Sequence, residues 1–273
     1  MNPTKKQKVV ETGIAVASNF GTKVAEELVV SFLGEGSRLY IAPAGIIVHK
    51  AIKSTLEDFT HRVFSRNEVK KIGTVIEATV LEINSRLDGG ATPRDDGFFT
   101  DEQSGRTKAE EIFEGVLLKA RDQHEEKKLT HFGYFYANLA FRSDIPPTLA
   151  NFFLKAGNAL SYRQFVLLRY IADFGDVAFD GEPIRGRRHS LADLTALTKE
   201  EMELHSPGEF GGFGLITGVT SYQEVISDLG QTFCDLFNLK LIPAEDIREL
   251  RQLLLLCENS PPRSSSEEAL STS

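Results

Sequence analysis

Apolar residues recur along most of this chain at intervals of three and four, the spacing that places side chains on one face of an α-helix. Asn2-Pro3 is a helix-start signal, and Val9, Val10, Val16, Phe20, Val24, Leu28 and Phe32 predict one long N-terminal segment interrupted by Gly13 and Gly21. Gly34-Glu35-Gly36 ends it, and a second helix is predicted from Pro43 through Ile46, Ile47, Ala51, Leu56 and Phe59. Ser65 and Glu68 have the spacing of a capping box, in which hydroxyl and carboxylate each satisfy a backbone N–H that the helix start leaves unpaired. Val69, Ile72, Val75, Ile76, Thr79 and Ile83 then form the inward stripe of a third helix.

The stretch 88–106 breaks the pattern with Gly89-Gly90, Pro93 and Asp95-Asp96-Gly97, and reads as a polar loop that marks a boundary or an excursion, with Phe98-Phe99 pinning it. Helical spacing returns after Thr107. Ile112, Phe113, Val116, Leu117 and Ala120 make one face, and Leu129, Phe132, Gly133, Tyr136 and Ala140 another, with the charged run His124 to Lys128 between them. Pro146-Pro147 separates a shorter helix through Leu149, Phe152, Phe153 and Ala156. Ser161 and Gln164 repeat the capping-box spacing ahead of Leu167, Tyr170, Ile171 and Phe174. Residues 1–87 and 107–175 are thus expected to pack as one multi-helix core.

A Gly-, Asp- and Arg-rich stretch, 175–190, suggests a second boundary. Beyond it the pattern predicts short helices over Ser190 to Leu197 and Thr198 to His205. A small hairpin from Leu215-Ile216-Thr217 and Tyr222 to Ile226 follows, then a helix through Leu229, Phe233, Leu236 and Phe237. A last helix starts at Pro243. Helix, helix, hairpin, helix is the order of a winged-helix-like module, assigned to 190–257, and the Ser/Pro/Glu-rich tail 258–273 is expected to be disordered. The fold class expected is mainly α.

Composition narrows the function classes. The chain has 273 residues, enough for a sizeable core, and its two cysteines, Cys234 and Cys257, are too few for a disulfide framework and favour a cytoplasmic setting. No run is long and apolar enough for a conventional membrane span, and Met1 to Lys6 does not lead into a secretory signal. A net charge of −8 argues against a broad nucleic-acid surface. Part of that excess, Asp95 and Asp96 in the loop with Glu258, Glu267 and Glu268 in the tail, falls in segments expected to be mobile.

No motif brings catalytic chemistry together. Asp173-Phe174-Gly175 matches a kinase metal-binding tripeptide without the accompanying catalytic and phosphate loops, and reads as a helix end. The glycine-rich Glu209 to Gly214 lacks the Gly-Lys-Ser/Thr ending of a phosphate loop. Asp58-x-x-His61 is a single helical pair where a metal site needs more ligands. Glu68-x-Lys70 and Glu126-x-Lys128 sit on predicted helices and read as solvated charge, and Cys234 lies on a buried helix face. No catalytic, metal or cofactor-binding residue is assigned and no small-molecule ligand is expected. One basic cluster, Arg185, Arg187 and Arg188, could meet phosphate or an acidic partner, but the helix after it carries Glu200, Glu201, Glu203 and Glu209 against Lys199, which disfavours nucleic acid. Residues 9–52, preceded by Lys5, Lys6 and Lys8, could pack in the core, self-associate or lie on a bilayer.

Three stretches carry a resemblance. Lys108 to Ala120 followed by Glu125-Glu126-Lys127-Lys128-Leu129 and Phe135-Tyr136-Ala137-Asn138-Leu139, then Leu160-Ser161-Tyr162-Arg163-Gln164 to Tyr170, then Leu215-Ile216 with Ser227 to Phe233, are similar to a pattern in uncharacterised bacterial helical proteins. More distantly the pattern resembles the abortive-infection alpha family. The chain departs from it in the insert 175–190 and in Asp228, where threonine is usual. The resemblance implies a bacterial cytoplasmic protein with a helical core and a winged-helix-like end, acting in antiviral defence against phage. It carries no catalytic residue across. The function expected is therefore protein–protein interaction or self-association as a sensor or effector, the alternatives being membrane action through 9–52 and DNA binding through 185–240.

Overall fold

The structure, a computed structural model, describes residues 43–60, 62, 64–100, 105–174, 178, 179, 182, 183, 204, 212–220 and 223–258. The long N-terminal helix, the short helices over 190–205 apart from Leu204, the Arg185, Arg187 and Arg188 cluster and the tail from 259 lie outside them. The described chain is mainly helical. Contacts divide it into two compact units, one formed by Met1–Leu160 with Leu236–Asn238, the other by Ser161–Asp235 with Leu239–Ser273.

In the first unit α1 (Pro43–Thr60) buries Val48, Ala51, Ile52, Leu56 and Phe59 along one stripe. α2 (Arg66–Asp88) opens with the capping box predicted at Ser65: the Ser65 hydroxyl accepts from Glu68 N, and the Glu68 carboxylate accepts from Ser65 N at 2.7 Å. A second capping box, Thr107 with Glu110, starts α3 (Lys108–Asp122). A 3-10 turn (Glu126–Lys128) leads into α4 (Leu129–Leu139), and α5 (Pro147–Ala159) begins on its proline, whose missing N–H costs nothing at a helix start.

α4 is buried nearly all round, from Leu129 through Leu139, as a helix surrounded by others must be. It packs on α2, α3 and α5. Gly133 sets its approach to α2, because a Cβ there would lie 2.6 Å from both Ala78 Cβ and Val75 O. The Thr79 hydroxyl donates to Val75 O at 2.8 Å, which lets a polar side chain sit in this seam.

The polar loop after α2 belongs to this unit and is anchored. Phe98 and Phe99 are buried edge to face, as the sequence predicts. Asp96, read from sequence as mobile charge, is instead tied to buried Arg94. The Arg94 guanidinium donates to Asp96 at 2.8 Å and to Ile145 O at 3.0 Å, and lies 4.3 Å from the centre of the Phe98 ring. Hydrogen bonding from Arg94 holds the Asp96 carboxyl below the usual carboxylate range.

The second unit corrects one boundary. The sequence assigns α6 (Tyr162–Phe174) to the helical core and places the division at 175–190; the units divide at Leu160/Ser161. The predicted Ser161/Gln164 capping box is present there, with Ser161 N donating to Gln164 Oε1 at 2.7 Å. α6 packs with the second unit's own elements, so its apolar side chains fix its membership where sequence composition could not. After the two-residue strands β1 (Ala178–Phe179) and β2 (Glu182–Pro183), β3 (Ile216–Thr220) and β4 (Gln223–Ile226) pair antiparallel, Ile216 opposite Ile226. α7 (Asp228–Leu236), a 3-10 turn (Leu239–Leu241) and α8 (Ala244–Glu258) complete it. Phe165 of α6 meets Phe233 of α7 edge to face at 5.4 Å, and the Tyr162 hydroxyl donates to Asp246 of α8 at 2.6 Å. Gly230 is obligatory, since a Cβ there would lie 1.9 Å from Leu215 O.

Candidate functional site

Three deeply buried polar side chains, Lys128, His131 and Asn138, lie along the α4 segment, and each reaches a backbone carbonyl. Lys128, just ahead of α4, has a side chain only 1% exposed. Its ammonium donates to Leu160 O, lies 3.4 Å from Asn158 O and 3.7 Å from Glu125 Oε2, and faces the Phe132 ring. The two carbonyls belong to the C-terminal end of α5, where helix geometry leaves acceptors unsatisfied and a cation is favoured. Burial lowers the amine to about 8, opposed by the Glu125 carboxylate. The sequence reading of Glu126-x-Lys128 as solvated charge holds for Glu126, which is exposed and pairs with Lys70 at 3.5 Å, and fails for Lys128. The reason is the 3-10 turn, which points Glu126 outward and draws Lys128 under α5.

His131 and Asn138 lie two turns apart on one face of α4, with Phe135 between them. Both serve a single three-residue segment. Asn138 Nδ2 donates to Leu236 O at 2.8 Å, and His131 Nδ1 lies 2.8 Å from Phe237 O. A carbonyl can only accept, so Nδ1 carries the proton. Burial pulls the imidazole below its ordinary value, outweighing the opposite pull of the Phe237 carbonyl. The Phe237 ring stacks on Phe135 at 4.9 Å and meets Phe132 edge-on at 5.9 Å. Its floor is Gly157 of α5, where a Cβ would lie 2.4 Å from the ring. Asn238, at φ 52, turns the chain away in the left-handed conformation that ends many helices.

Tyr136, on another face of α4, is fully buried against Phe113 with ring centroids 4.4 Å apart. Its hydroxyl has no hydrogen-bond partner. Burial raises its pKa far above the ordinary phenol value, with the Glu110 charge adding to that. Nearby, Arg62 and Arg106 converge on Glu114, the latter at 2.7 Å. Burial alone would raise Glu110, but hydrogen bonds from Ser54 and Thr107 and the charge of Arg106 hold it low. With Asp58 also facing Arg106, this cluster is acidic on balance and is no anion site.

Other residues singled out by sequence are structural here. Asp173 pairs with Arg169 at 2.7 Å within α6. The Cys234 thiol is buried and pushed up to about 12 by that burial, far from a thiolate. Asp58 is exposed on α1, and His61 lies outside the described residues. Among the described residues no group of three or more His, Cys, Asp or Glu side chains has the arrangement of a metal site. His131 and Asn138 escape a sequence reading because their partners are backbone carbonyls some hundred residues downstream. The available signal is two polar residues at inward positions of an otherwise apolar helix. No protein-family model, curated protein or solved structure matches the chain.

Proposed function

We propose that this chain acts by protein–protein contact, as a bacterial cytoplasmic sensor or effector in antiviral defence. The observation that carries the contact reading is the adjacent pair Ile46 and Ile47, 53% and 42% exposed on a helix that buries Val48, Ala51, Ile52 and Leu56. Burying one such side chain contributes ~1.5–3 kcal/mol, so a partner covering both gains a useful apolar anchor. Exposed Lys50 beside them, and the surface ion pair Lys53–Glu57 further along, supply a polar rim. The buried polar groups support the same reading, since Lys128, His131, Asn138 and Arg94 are all engaged in holding backbone.

The defence role rests on the resemblance of residues 108–139, 160–170 and 215–233. The order of β3, β4 and α7 supports a winged-helix-like end, and the acidic residues 200–209 count against its entering a DNA groove. The test is a plaque assay and capture of interacting proteins from infected cells, comparing the chain with an Ile46→Ser/Ile47→Ser variant of unchanged melting temperature. Protection and a specific captured protein, both lost in the variant, are expected. Protection undiminished by the double substitution would overturn the contact reading, as would a hydrolase or nuclease activity abolished by one carboxylate substitution. Liposome leakage lost on deleting 1–52 would favour membrane action instead, and DNA binding dependent on Arg185, Arg187 and Arg188 would favour the regulator.

A further inference from the structure

The segment Leu236–Asn238 belongs to the first unit, although the residues on both sides of it belong to the second. It is held there as a bound peptide is held. One aromatic side chain enters a pocket made by Phe132, Phe135 and Gly157, and two donors, His131 and Asn138, read the main-chain carbonyls on either side of the ring. A side-chain pocket for specificity with main-chain hydrogen bonds for affinity is the general logic of peptide recognition. No covalent feature of the slot distinguishes the chain's own segment from an identical one.

We propose that this slot is a docking site for a helix end of the form Leu-Phe-Asn, and that a second copy of this chain can fill it with its own Leu236–Asn238. The occupant is identified by the fit already present: a ring that would strike any Cβ at position 157, and carbonyls 2.8 Å from both donors. Within one chain the tether supplies an effective concentration in the millimolar range, so the chain's own segment wins until it is impaired. The proposal deepens the contact reading above by naming a surface and its partner. The two fail separately, because the Ile46/Ile47 variant leaves the slot intact.

Complementation tests it. Phe237→Ala leaves a slot without its plug, and Gly157→Ala leaves a plug whose own slot is blocked. Each variant alone is expected to run as a monomer of 30.3 kDa by light scattering, while an equimolar mixture forms a heterodimer of twice that mass. Adding Asn138→Ala to the Phe237→Ala chain should weaken the heterodimer at least about ten-fold, the loss of one buried hydrogen bond. Absence of heterodimer between variants that keep the parent far-UV circular dichroism overturns the proposal. If either variant fails to fold, a labelled peptide spanning residues 228–241 is titrated onto a Phe237→Leu chain, whose slot is intact and whose own plug is weakened. Saturable binding lost in the Phe→Ala peptide is expected; no binding, or equal binding of both peptides, overturns it.

Discussion

Replacing Lys128 by methionine separates two opposing effects that the fold places on one atom. The ammonium gains hydrogen bonds to the carbonyls ending α5, worth ~1.5–3 kcal/mol for a charged donor, and loses its hydration. The amine's fall from 10.5 to about 8 converts, at about 1.36 kcal/mol for each pH unit, to roughly 3 kcal/mol against the charged folded form. The sign follows from proton counts. Between pH 8 and 10.5 the unfolded chain holds the proton and the folded chain has shed it, so stability rises with pH across that window. Linkage over the interval from pH 7 to pH 10 gives a gain of roughly 2–3 kcal/mol for the parent. Lys128→Met keeps the length of the side chain, lacks the titration and leaves the carbonyls unpaired. Urea unfolding of both proteins at pH 7, 8, 9 and 10 measures the difference, in which the other lysines and the tyrosines cancel. The parent should gain stability relative to the variant by roughly 2–3 kcal/mol from pH 7 to pH 10. Parallel pH profiles would refute the argument, because they would mean that the carbonyls and Glu125 repay desolvation in full.

Tyr136→Phe should leave stability unchanged or raise it by up to ~1 kcal/mol in urea melts, because the buried hydroxyl has no partner to lose. Gly133→Ala should cost ~1–3 kcal/mol, since the new methyl meets Ala78 Cβ and Val75 O at 2.6 Å and must push α4 off α2. His131 is held below its ordinary value of 6.5, so below about that pH the unfolded chain takes up a proton that the folded chain refuses. Stability is therefore complete above pH 6.5 and falls on acidification. His131→Asn should flatten this acid limb in unfolding titrations from pH 7 to pH 4.5.

The helices were readable because their signals are local. Ser65 with Glu68 and Ser161 with Gln164 stand three residues apart and form the predicted reciprocal bonds. Pro147 and the apolar stripe of α2 act within a turn or two of themselves. Phe98 and Phe99 were legible as anchors because two adjacent large aromatics in a polar loop have nowhere to go but inward. The membership of α6 was not legible. Its apolar stripe suits any complementary surface, and only the positions of β4 and α8 select one.

The burial of Lys128 and the pairing of His131 and Asn138 depended still more on the tertiary structure. In sequence Lys128 closes a charged run, and nothing local distinguishes it from Lys127. Its environment is set by the end of α5, thirty-two residues away, and the slot on α4 by a segment about a hundred residues away. The sequence by itself therefore determined where helices start, which stripes face inward and that the chain is mainly α, since those depend on backbone groups and side chains within a few residues. Only the tertiary structure decided which polar groups are buried and what they hold. A buried donor needs an acceptor, and here the acceptors are main-chain carbonyls that every residue possesses and no sequence pattern marks.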